Sequence, residues 1–135
     1  MEAVKGWFQV WLSYIKETYG ALSNREKALE GGAFAGRIGR RHFWTIALVT
    51  IAISIVLSVI DSVIFIVVLG VPVTPLSSLF GLFTLIPLIS AEIRRLHDIG
   101  QVGWWLLVPL YNLYLWAQKG DEGENKYGAA PSVAP

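Results

Sequence analysis

The chain has 135 residues, 54% of them hydrophobic and 16% charged, with a formal net charge of +1. An ordinary soluble domain carries about 25% charged residues; a domain this small has too much surface to cover with so few, and clustered apolar residues exclude a disordered chain. The near-neutral balance gives no reason to expect nucleic acid as a partner, and the lack of cysteine removes disulfides, zinc–thiolate centres and thiol catalysis.

In chain order, Val4, Trp7, Phe8, Trp11, Ile15 and Tyr19 recur at three- and four-residue intervals, with Glu2, Lys5, Gln9, Ser13, Lys16 and Glu17 largely between them. This is an amphipathic helix. Charges interleaved with aromatics are not the pure apolar core of a secretory signal. The aromatic face suits the headgroup plane of a membrane, with Trp7 and Trp11 in contact with lipid; the other placement is against a partner. Ser23 and Glu26 have the spacing of a capping box, which predicts a short polar helix from Asn24 to Leu29, ended by Gly31 and Gly32.

From Phe43 to Leu69 the only charge is Asp61. The run exceeds the ~20 residues a membrane helix needs, and in lipid a lone strand would leave its backbone unpaired. Gly70, Pro72 and Pro75 mark a turn. Leu76 to Ala91 is a second uncharged run, with Pro87 inside it. Trp104 to Ala117 is a third, but at ~1.5 Å per residue it reaches only about 21 Å, short of the roughly 30 Å hydrocarbon layer. We read it as a short third span that borrows Gln118 and Lys119 by snorkelling; a re-entrant or interfacial helix is the alternative. Residues 120–135, polar and rich in Gly and Ala, read as a solvated arm. The expected organisation is therefore an amphipathic helix and polar linker over 1–33, a helical membrane domain over 34–119, and a tail over 120–135. The class is an all-α integral membrane protein.

Lys5, Lys16, Arg25, Lys27, Arg37, Arg40 and Arg41 precede the first span, none lies between the first two, and Arg94 and Arg95 follow the second. That alternation places the N-terminus in the cytoplasm. A third span would carry the tail outside; a re-entrant segment would leave it inside.

Two polar clusters flank the spans. "AEIRRLHDIGQVGWW" holds Glu92, Arg94, Arg95, His97 and Asp98. A metal site would use His97 and Asp98 with Glu92 and His42, but adjacent residues on a helix point to different sides. The alternative is a membrane boundary. Glu92 with Arg95 and Arg94 with Asp98 neutralise each other along a continued helix, and Trp104 and Trp105 anchor the headgroup level. "GRIGRRHFW" repeats the pattern, with Arg37, Arg40 and Arg41 as a basic collar. Side by side, the collars would pair Arg37 or Arg40 with Glu92 or Asp98, bring His42 toward His97, and form a cluster able to bind an anionic headgroup or a partner. Asp61 lies ~27 Å along the first helix, near the far interface, as an interfacial carboxylate or a member of a proton relay. Thr50, Ser54, Ser58 and Ser62 form a stripe that serves helix packing or lines a conducting path.

"FAGRIGRRHFW", "RRLHDIGQVGWWLL" and "GDEGENKYG" resemble, in this order, the three signatures of a bacterial inner-membrane family catalogued as a domain of unknown function, number 805. The matching positions are Phe34, Gly36, Arg37, Arg40, Phe43 and Trp44; then Arg94 to Asp98, Gly100, Gly103, Trp104 and Trp105; then Gly120, Gly123, Asn125, Tyr127 and Gly128. The resemblance implies a small helical protein of the bacterial inner membrane and no particular reaction or cofactor. The expected function is thus a non-enzymatic accessory or interaction subunit that packs on lipids, another membrane protein or its own copies. The second reading is an oligomeric conductor of ions or small solutes; the third is a metal-assisted membrane enzyme. The expected contacts to lipid or partner are Trp7, Trp11, Arg37, Arg40, Arg41, Arg94, Arg95, His97, Asp98, Trp104 and Trp105.

Overall fold

The apolar run after Gly39 is one continuous rod in the structure, a computed structural model that describes residues 1–132. Helix α3 spans Arg40–Asp61 and carries on as a π-wound segment, Ser62–Val68, 29 residues in all. Helix α4, Pro75–Asp98, returns antiparallel and extends the second apolar run through the whole polar cluster. These are the two helices among the described residues that are long and apolar enough to cross a bilayer. The protein is all-α and membrane-embedded; among the described residues the one strand-like pairing is an isolated bridge between Asn125 and Gly128.

Helix α1, Glu2–Ser23, lies across both spans. Its indole at Trp11 donates to Thr50 Oγ1 (2.8 Å) and the Tyr14 hydroxyl bonds Ser90 Oγ (2.9 Å). From Trp11 onward the stripe therefore faces protein, which corrects the expected lipid contact of Trp11; Val4, Trp7 and Phe8 at its start remain exposed. Trp11 is a core residue at 6% exposure, while Trp7 stays half exposed. Helix α2, Arg25–Leu29, starts one residue later than expected: the cap is Asn24, whose side chain accepts from the amides of Glu26 and Lys27, while the Ser23 hydroxyl turns back to the carbonyl of Gly20.

The third apolar run does not span. It splits into a 3₁₀ turn, Gly103–Leu107, and a seven-residue helix α5, Tyr111–Ala117, about 10 Å long. Pro109 has no amide to continue a helix, Leu110 sits at a positive φ of 68°, and the Asn112 side chain bonds the carbonyl of Leu106 across the break. The chain consequently turns back, and the tail lies at the same end of the bundle as the start of α3. Nor is the tail a free arm: its side chains are largely exposed, but residues 120–128 are tied to the corner described below. Residues 133–135 of that expected arm lie outside the described residues.

The core sits at this end, built from Tyr14, Ile15, Phe43, Ile46, Leu96 and Trp116. Along the spans little is covered by protein: only 6% of the most apolar stretch of the first span is buried.

Two polar repairs hold the spans. Pro87 removes the amide that would bond the carbonyl of Phe83 four residues back; the Tyr19 hydroxyl of α1 donates to that carbonyl instead. At the far end Asp61, fully buried, accepts from the amides of Leu76 (3.1 Å) and Ser77 (2.8 Å) and from the Ser77 hydroxyl. The carboxylate of one span thus caps the first turn of the next, where orphan amides and the positive end of the helix dipole favour an anion. Asp61→Ala is expected to lower stability by about 1–3 kcal/mol, with Asp61→Asn losing less; unfolding in mixed detergent micelles measures both.

Candidate functional site

The corner forms where α4 ends. Gly100, at φ +69°, turns the chain away from the helix, in a conformation open mainly to glycine. Asp98, in the last turn of α4, accepts from Arg37 on Oδ1 (3.0 Å) and from Arg95 on Oδ2 (2.5 Å). All three side chains are inside, at 1%, 0% and 4% exposure for Arg37, Arg95 and Asp98. Two guanidiniums against one carboxylate leave an excess positive charge, and main-chain carbonyls absorb it. Arg37 donates to the carbonyls of Gly123 (2.6 Å), Asp121 (2.6 Å), Gly128 (3.2 Å) and Asp98 (3.4 Å). Arg95 donates to the carbonyls of Trp116 (3.0 Å) and Gln118, and Arg40 to that of Ala117 (3.1 Å). The carbonyls at the end of α5 have no intrahelical partners; these arginines supply them.

The tail closes the corner from outside. Its Asp121 amide bonds the carbonyl of Asp98 (2.7 Å), Asn125 Nδ2 bonds the carbonyl of His97 (2.9 Å), and the Tyr127 ring stacks on the His97 ring at 3.8 Å between centroids. His97 Nδ1 lies 3.1 Å from the carbonyl of Gly36; a carbonyl only accepts, so this nitrogen carries the proton. Gly120 passes against the carboxylate so closely that an added Cβ would overlap it, only 2.7 Å from Asp98 Cγ.

Beside this corner lies a second, looser polar group on α1. Arg94 pairs with Glu17 at 3.2 Å and sits over the Tyr14 ring, 5.5 Å from its centroid; His42 meets the same ring edge-on. Burial pushes the Tyr14 hydroxyl above the usual phenol range, opposed by its bond to Ser90 and the nearby Arg94. The hydroxyl is therefore protonated at neutral pH.

The expected pairing of the two collars is present in Arg37 with Asp98, but the pairing within the second cluster differs. Arg95, not Arg94, meets Asp98, and Arg94 goes to Glu17. On a helix, residues three apart share a face as readily as residues four apart, and Arg94 points to α1. His42 faces Tyr14, whereas His97 faces Tyr127. Of the expected contact residues, Arg37, Arg95 and Asp98 are committed inside, as is Trp11; Trp7, Arg40, Arg41, Trp104 and Trp105 are exposed, with Trp104 at 78%. No three His, Asp or Glu side chains among the described residues converge as metal ligands. Every nitrogen of Arg37 and both oxygens of Asp98 are engaged, so the corner is suited to holding chain segments together. Tyr14, Tyr19, Ser90, Asn125 and Tyr127 complete the arrangement without having been expected to; the early signals were the amphipathic stripe, which contains Tyr19, and the third motif, which contains Asn125 and Tyr127.

Comparison with known proteins gives a consistent result. Residues 32–129 match the family described as "Protein of unknown function (DUF805)". The Escherichia coli (strain K12) inner membrane protein YhaI is 33% identical over 105 residues, 73% of this chain and 85% of its own length. The inner membrane protein YhaH of the same strain is 30% identical over 113 residues, 76% of this chain and 89% of its own length. No solved structure matches significantly.

Removing Asp98 leaves two buried guanidiniums uncompensated, which costs about 3–5 kcal/mol; Asp98→Ala should unfold in detergent well below the parent. Gly120→Ala should destabilise through the same carboxylate. The loss in Asp98→Ala/Gly120→Ala should then be smaller than the sum of the two single losses, because the colliding group has gone. Strict additivity in thermal unfolding would separate the tail from the corner.

Proposed function

The chain belongs to the DUF805 family, and on that premise we propose that it is a non-enzymatic accessory protein of the bacterial inner membrane, which packs in the bilayer against another membrane protein or a second copy of itself. The observation that carries this is the groove left open between α3 and α4. It is about 590 Å³ and is bordered by Thr50, Ser54, Ser58 and Ser62 on one side and Gly81 and Thr84 on the other. Small and hydroxyl residues are what helix–helix contacts in lipid use, because they let backbones approach. The corner at the other end fixes the angle between the spans and so sets the shape of that groove.

The conducting alternative has less behind it. The hydroxyls of Thr50, Ser54 and Ser62 donate back to the carbonyls of Ile46, Thr50 and Ser58 on their own helix, so these protons are not offered to a passing solute. We also propose a cytoplasmic N-terminus, from the concentration of Arg at the corner end. In that orientation the tail is cytoplasmic too.

Solubilised gently and purified natively, the protein is expected to travel with a partner chain in fixed stoichiometry. Filling the groove with Gly81→Leu or Ser58→Leu should release that partner while leaving the thermal transition in place. A lone monomer in every mild detergent, or a partner indifferent to both substitutions, would contradict the proposal. Single cysteines at the exposed positions Ala28 and Thr74 test the orientation: a membrane-impermeant thiol reagent applied from the cytoplasm should label the first and spare the second.

A further inference from the structure

A different groove, between α1 and α3, has the shape and charge distribution of an amphiphile. Its polar mouth is formed by Arg41 and Thr45 with the rings of Trp7 and Trp44 and the side chain of Leu48. Trp7 and Leu48 also begin an apolar trough that continues past Val4 and Phe8 to Val49, Ala52 and Ile53. The mouth encloses about 190 Å³ and the trough about 430 Å³. From Arg41 to Ile53 the lining runs ~18 Å along α3, roughly the depth of one bilayer leaflet.

The charge at the mouth is unpaired among the described residues. Arg41 is exposed, and no carboxylate among the described residues pairs with it. It also stands in the first turn of α3, with Arg40 beside it and no acidic residue in that turn. This is the positive end of the helix dipole, where a cation is unfavourable and an anion is favoured. Arg37, Arg40, Arg94 and Arg95 are all used internally, so of the arginines around the corner Arg41 is the one left without a partner among the described residues. Trp7 and Trp44, at the junction of mouth and trough, have the amphipathic character of rings at the headgroup level.

We propose that this groove is a selective site for one anionic phospholipid, its phosphate on Arg41 and one acyl chain in the trough between α1 and α3. The site rests on the membrane location of the chain and not on the proposed accessory role, so loss of a protein partner leaves it untouched. It also gives the exposed N-terminal end of α1 a function: Val4, Trp7 and Phe8 form one wall of a lipid site.

The test uses the full chain in a non-ionic detergent, offered equimolar phosphatidylglycerol and phosphatidylcholine with identical acyl chains, with bound lipid counted by native mass spectrometry. Phosphatidylglycerol should be retained about fivefold over phosphatidylcholine, the preference one basic side chain near the membrane surface supplies. Arg41→Gln should abolish that preference while leaving phosphatidylcholine binding unchanged. Ala52→Trp, at an exposed position in the trough, should weaken both lipids by the same factor; Val4→Gln makes the same test from the other wall if Ala52→Trp alters the melting curve. Millimolar glycerol phosphate, a headgroup without chains, should not displace the lipid. Equal retention of the two lipids, a preference that survives Arg41→Gln, binding indifferent to both trough variants, or displacement by glycerol phosphate would each overturn the proposal.

Discussion

Everything at the closed end of the molecule depends on Asp98 being shared between two arginines, one before the first span and one at the end of the second. Arg37 precedes the first span and Arg95 lies in the last turn of the second. A carboxylate that takes both brings the two ends into one site, and with them the mutual position of α3 and α4. Burying three charges is expensive. The cost is offset because the surplus positive charge is distributed over carbonyls of the α5 end and the tail. A seven-residue helix is marginal in isolation; α5 persists because the arginines close its C-terminal end. The same bonds explain why a segment of polar, glycine-rich composition is ordered over residues 120–128.

The rest of the fold follows one rule, that in lipid no main-chain group is left to water. Breaks and ends of the apolar helices are repaired by side chains from other elements. Pro87 is repaired by Tyr19, the first turn of α4 by Asp61, and the end of α5 by Arg95 and Arg40. Helix α1 serves this function at mid-span, which is why it lies against α3 and α4. Its aromatic stripe carries hydroxyl and indole donors as well as apolar surface.

The two spans were legible in the sequence because hydropathy over twenty residues depends on composition alone, and the membrane class followed from the same signal. The meeting of Arg37 with Asp98 was legible as one of several pairings, since two basic collars at one membrane face have few acids to choose from. What was not legible depended on distance in three dimensions. Trp11 read as a lipid anchor because its partner, Thr50, belongs to another helix. Asp61 read as an interfacial or relay carboxylate because the amides it caps lie beyond a turn of unknown geometry. The third run read as a span because Pro109 does not announce the reversal completed at Leu110 and Asn112. The tail read as solvated because its polar composition is that of a free arm; its order comes from main-chain carbonyls, which composition does not describe. In the second cluster, three- and four-residue spacings were equally plausible, and α1 decided between them by taking Arg94.

The central claim is that the tail is a structural part of the membrane domain, locked to it by Arg37 and Asp98. Hydrogen exchange of the tail amides in detergent measures this most directly. The Asp121 amide bonds Asp98, and the amides of Asn125 and Gly128 bond each other's carbonyls. All three should exchange much more slowly than in a free chain, and Arg37→Lys, which keeps the charge but loses the planar fork, should return them toward free-chain rates. Free-chain exchange of these amides in the unaltered protein would contradict the account.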